Sequence, residues 1–205
     1  MKFWRRFLET PDASTEIPTT PTTPIKEKNN WWRFSLDLLE TILLSVVLFL
    51  GINAVTARVR VDGMSMRPTL ENGQYVLVSK MAYRSDLPDY GDVVVFHFPA
   101  NPKEDYIKRV IARPGDKVLI EDGQVTVNGI ILNEEYIAAS PNYSGNWSVP
   151  ENHLFVLGDN RNDSSDSHSG WTVPMENVIG KAIVIYWPPP QWNIIDHVQV
   201  AIAAP

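Results

Sequence analysis
The sequence predicts a mainly β protein: a compact antiparallel β domain with a small hairpin-rich cap, preceded by one N-terminal transmembrane α-helix. Three observations carry that reading. A charge-free run occupies Thr41–Ala57, with twelve apolar residues among its seventeen. Beyond it, β-branched runs recur between Gly, Pro and Asp turns. No long segment after the run has helical periodicity, and no internal repeat is evident.

Residues 1–35 open on the basic, aromatic "MKFWRRFLE" and continue as "TPDASTEIPTTPTTPIKEKNN". That stretch is rich in Pro and Thr and too poor in apolar residues to build a core, so it reads as a largely disordered tail. Residues 36–57 read as the membrane helix. Seventeen uncharged residues meet the lower limit of the roughly 17–25 a spanning helix needs. Leu36, Leu38 and Leu39 lengthen the run, and Trp31 and Trp32 suit the headgroup zone. A buried core helix of this length would rarely lack a polar face.

Residues 1–35 hold six Lys/Arg, Arg33 nearest the run, against four Asp/Glu. The tail is therefore expected in the cytoplasm and residues 58–205 outside it, although Arg58 and Arg60 oppose that asymmetry. The expected setting is single-pass in the cell membrane, with a thylakoid membrane as the other setting. "NAVTA" places Val55 and Ala57 at the −3 and −1 positions of a signal-peptide-like cut after Ala57. The long Pro-rich leader, with Asp37 and Glu40 near the apolar run, is unlike a signal sequence, so an uncleaved anchor is expected.

In residues 58–205 the runs "QYVLVSK", "GDVVVFHF", "DYIKRVIA", "KVLIEDGQVTVNGIIL", "HLFVLGD" and "GKAIVIYW" read as strands. "EDGQ" and "VNGI" carry Asp-Gly and Asn-Gly, strong hairpin signals. Composition narrows the chemistry. The net charge of −6 lacks the basic field of a nucleic-acid binder, so no nucleic-acid partner is expected. With no cysteine, thiol catalysis, disulfides and thiolate zinc sites are excluded. His97, His153, His168 and His197 have no zinc-protease spacing, and "GDNRNDSSDSHSG" fails the calcium-loop template, so neither metal nor cofactor is expected.

Two residues invite a nucleophilic reading. "VDGMSMRPTL" sets Ser65 eight residues beyond Ala57. In "DYIKRVIARPGD", strand alternation puts Tyr106 and Lys108 on one face and Ile107 and Arg109 on the other. A lysine on a buried face would have a lowered pKa and could act as a general base. Alternation alone leaves open which face is buried, and strand lysines are usually exposed.

"GMSMRPTL", "GDVVVF", "YIKRVIARPGD" and "LGDNRNDSSDSHSG" occur in the order seen in type I signal peptidases, the membrane-anchored serine proteases that remove signal peptides. The chain resembles that family, and in particular its cyanobacterial and chloroplast branch, over residues 61–170. "GKAIVIYWP" is similar to its last strand. The resemblance implies a Ser-Lys dyad, with Ser65 as nucleophile and Lys108 as general base, acting through an acyl-enzyme. It implies that Ser164 orients the lysine and that Asp159 and Asp166 brace the site. Val61, Met66, Leu70, Tyr106 and Ile107 match positions lining shallow pockets for small residues at −1 and −3, and residues of these types also build ordinary cores.

The implied partners are preprotein signal peptides and a lipid membrane, with a monomer expected. Two departures stand out. Gly63 occupies a place where some members carry a serine that donates to the oxyanion, and His168 stands where many carry arginine. Only about forty residues separate "RPGD" from "LGDN", so the cap is expected to be small, over residues 117–150. Two rival functions remain on sequence grounds. One is a serine hydrolase with a His168-based triad; the other is a non-catalytic, membrane-tethered β binding module.

Overall fold
The computed structural model describes residues 31–197, so most of the expected disordered tail, and the last eight residues, lie outside the described part. The chain divides after Leu43 into two units. Helix α1, Trp31–Val55, crosses that division, and none of its side chains is buried. It begins before the expected Leu36 and stops short of Ala57. Hydroxyls along it are not orphaned: Ser35, Thr41 and Thr56 donate to the carbonyls four residues earlier. Beyond Glu40 the helix is uncharged, and such a stretch with its hydroxyls bonded back to its own backbone suits a hydrocarbon environment.

The expected β domain forms, as an antiparallel sheet plus a smaller one. Its strands are β1 (Thr56–Arg60), β2 (Tyr75–Ser79), β3 (Val93–Phe98), β4 (Asn101–Ala112), β5 (Lys117–Glu121), β6 (Gln124–Val127), β7 (Ile130–Ile131), β8 (Gly145–Ser148), β9 (His153–Leu157), β10 (Val173–Pro174), β11 (Val178–Trp187) and β12 (Asn193–Ile194). The larger sheet runs β1-β2-β11-β3-β4-β9-β10, with β12 added to β11; the smaller runs β7-β6-β5-β8. The smaller sheet is the cap. Its two tight turns place Asp122-Gly123 and Asn128-Gly129 at positive φ, the conformation those dipeptides favour.

Strand β4 carries two buried cations, Lys108 and Arg109. Pairing with β3 sets Lys108 beside Val94 and Arg109 beside Val93. Lys108 thus shares a face with Val94, Phe96 and Val110, which pack with Leu154, Val156 and Val173. Arg109 shares the other face with Val93, Val95 and Ile107, which pack with Val61, Met66, Leu70, Val76 and Val78. A third cluster, including Ile111, Val118, Ile120, Phe155 and Leu157, joins the cap to β4 and β9. Both faces of β4 are covered, so both cations are buried, at 4% and 0% exposure.

Candidate active site
Ser65 lies in a turn after β1, partly buried, with Met66 packed inward and Met64 exposed. Lys108 Nζ reaches it from β4, donating to Ser65 Oγ at 2.7 Å and to the Ile107 carbonyl at 3.1 Å. Burial lowers the pKa of this amine to about 8, against the raising influence of the Asp166 and Asp159 carboxylates. An amine of that pKa within contact of a hydroxyl can take its proton near neutral pH.

The segment after β9 closes over the pair. Asn160 donates its backbone N–H to the Ser65 carbonyl at 3.0 Å and its side-chain amide to the Met64 carbonyl at 3.1 Å. Gly158 passes so close that a Cβ there would collide with the Ser65 carbonyl and the Ser164 hydroxyl, so glycine is required. Ser164 Oγ is buried and has no hydrogen-bond partner among the described residues. It stands near the Ser65 carbonyl without a bond to Lys108.

Asp166 accepts from the Gly158 N–H at 2.8 Å and lies 2.6 Å from His168 Nδ1. The His168 ring stacks on Tyr143 of the segment before β8, with centroids 4.0 Å apart. Asp159 takes a two-pronged ion pair from Arg109, Nε to Oδ1 at 2.8 Å and Nη2 to Oδ2 at 2.7 Å. The same guanidinium donates to the carbonyls of Gly91 and Asp196 and lies over the Tyr136 ring at 4.1 Å. Arg161 forms a second fork, to Glu134 at 2.6 and 2.7 Å. Both forks tie the segment carrying Asp159–Ser164 to its surroundings.

Four of the five expected pocket residues, Val61, Met66, Leu70 and Ile107, meet in one apolar cluster, and the first three are almost wholly covered. Tyr106 lies on the opposite face, stacked on Phe98 at 4.5 Å with Trp171 edge-on. Sequence reading gave no role to Arg109, Asn160, Arg161, Glu134, Tyr136 or Trp171. Arg109, Asn160 and Arg161 stand inside the motifs that were read; the other three carried no signal. Gly63 has φ +99°, with its N–H bonded to Asn72.

Residues 35–187 match the family described as signal peptidase, peptidase S26. The chain belongs to that family. It is 41% identical to the signal peptidase I of Leptolyngbya laminosa over 188 residues, covering 86% of this chain and 93% of that one. It is 39% identical to the probable signal peptidase I-2 of Synechocystis sp., covering 82% of this chain and 78% of that relative. Thylakoidal processing peptidase 1 of Arabidopsis thaliana is 36% identical over 71% of this chain, which spans 46% of that longer protein. These relatives place it in the cyanobacterial and chloroplast branch of the signal peptidases. With α1 long and apolar enough to cross a membrane, the chain is a membrane-anchored serine endopeptidase of this family. Neither rival function is favoured: Ser65 Oγ accepts from Lys108, and among the described residues no hydrogen bond joins Ser65 to His168.

Proposed function
We propose that this enzyme cleaves N-terminal signal peptides from exported preproteins after small residues, with Ser65 as nucleophile and Lys108 as general base. The observation that carries the assignment is the 2.7 Å contact between Lys108 Nζ and Ser65 Oγ. Neutral Lys108 accepts the Ser65 proton as Oγ attacks the scissile carbonyl carbon. The lysine then protonates the departing amine, and afterwards draws a proton from the water that hydrolyses the acyl-enzyme. The Ser65 N–H, which donates to no acceptor among the described residues, holds the oxyanion. Gly63 supplies no side-chain donor to help it, and its positive φ makes a serine there strained.

Asp159 and Asp166 brace the segment that carries Ser164, and Ser164 orients the lysine once substrate is bound. Pairing with β9 engages β4 only at Arg109–Ala112, which leaves an edge at Tyr106–Lys108 for an extended peptide to add as a strand. Ile107, backed by the covered Val61, Met66 and Leu70, walls one pocket for a small side chain, and Tyr106, on the opposite face of β4, walls the other. The N-terminal tail faces the cytoplasm and the β domain lies across the membrane from it, as a monomer. Cleavage of a membrane-presented preprotein by wild type, Ser65→Ala and Lys108→Ala tests the assignment. Both variants are expected to remain folded and inactive; cleavage surviving in both would overturn it.

A further inference from the structure
We propose that the Ala57–Arg58 bond is a latent substrate site for a second copy of this enzyme, withheld by the pairing of β1 with β2. The inference rests on the small-residue specificity proposed above. The chain carries the features of its own substrate: an apolar helix to Val55, then Val55 and Ala57 at the −3 and −1 positions of the Ala57–Arg58 bond.

Three features of the fold keep that bond from being used. Thr56 to Arg60 are paired one for one with Ser79 to Tyr75, and the Val55 carbonyl accepts from the Lys80 N–H at 2.9 Å. Both residues of the bond are therefore inside a ladder, whereas a peptide read by strand addition must arrive unpaired. Secondly, Ala57 and Val59 pack against the cluster of Val61, Met66, Val76 and Val78, so the −1 side chain is committed to the enzyme's own core. Thirdly, only eight residues lead from Ala57 to Ser65, and they run through β1 into the nucleophile's turn. Self-attack would require that stretch to unpair and double back.

A chain whose β1 has not paired has none of these protections. β1 is an edge strand, held from one side only, the kind of element that opens locally before the rest of a sheet. The reaction is ordinary amide hydrolysis. Ser65 Oγ of one copy bonds to the Ala57 carbonyl carbon of the other, and the bond to the Arg58 nitrogen breaks with a proton passing to that nitrogen. Water then releases the Ala57 carboxylate and restores the serine. The product is a β domain beginning at Arg58, free of its helix. Keeping the anchor thereby becomes conditional on completing the fold.

The test uses full-length chains in detergent, with Ser65→Ala chains as substrate and wild-type enzyme added, beside a reference preprotein. Ser65→Ala alone should stay whole. Adding Val59→Asp, which puts a carboxylate against the core and frees β1, should raise cleavage 100-fold or more and give Arg58 as the new N-terminus. Ala57→Trp on that background should stop it. Because the substrate chain need not be active, cleavage remains informative even if Val59→Asp unfolds it. If the freed chain stays whole, or is cut elsewhere, while the reference preprotein is cut, the latent site does not exist. Equal cleavage with β1 paired or freed would overturn the protection. If the reference preprotein is not cut either, the proposed activity falls, and this inference with it.

Discussion

Lys108 and Arg109 are adjacent on β4, similarly buried, and aimed at opposite faces, yet only Arg109 has a carboxylate within ion-pair distance. Arg109 spends its donors on both Asp159 oxygens and two carbonyls, and stacks on Tyr136. Its charge is permanent and compensated, so it serves as a tie between β4 and the segment carrying Asp159. Lys108 has one hydroxyl and one carbonyl as acceptors. Its charge is under-compensated, burial outweighs the more distant carboxylates, and the proton is held loosely. A structural cation and a reactive amine differ here in the number of acceptors supplied, more than in depth.

The largest way to break this contrast is Lys108→Arg, which makes both residues permanent cations. Loss of the base should lower kcat/KM on a signal-peptide substrate by about 10³-fold or more, read with the circular dichroism spectrum unchanged. Next is Asp159→Ala, which leaves Arg109 charged and unpaired in the core. A loss of about 3–5 kcal/mol is expected by denaturant unfolding.

Lys108→Met removes the loosely held charge. Because the folded pKa lies below the unfolded one, the unfolded chain binds more protons between about pH 8 and 10.4, so wild-type stability rises with pH there. The methionine variant should be the more stable by on the order of 2 kcal/mol at pH 7, and its advantage should shrink towards pH 10. The smallest effect is Asp166→Asn. Without that carboxylate the lysine pKa should fall further, moving the acidic limb of kcat/KM to lower pH.

Most strands were legible because β-branched runs between turn residues have few other readings, and the two hairpin dipeptides formed turns where they stand. β1 was not, since Thr56 and Ala57 extend the apolar run and reveal themselves as strand only by pairing with β2. Ser65 and Lys108, the two side chains that meet at 2.7 Å, both stand in motifs that the sequence displays. The burial of Lys108 was not legible, because alternation separates two faces without saying that both are covered. Arg109 and Asp159 are fifty residues apart, and nothing local in either predicts the other. Glu134 and Tyr136 sit in an ordinary polar turn whose value arises only when Arg161 and Arg109 arrive.

The proposed chemistry turns on the weak basicity of Lys108 beside Ser65. It can be measured directly by titrating the lysine side-chain amines of the full chain by NMR, with the Lys108 resonance assigned by its loss in Lys108→Arg. A midpoint of about 8, coinciding with the acidic limb of kcat/KM, is the predicted result. A midpoint near the ordinary value of about 10.4 would contradict the account.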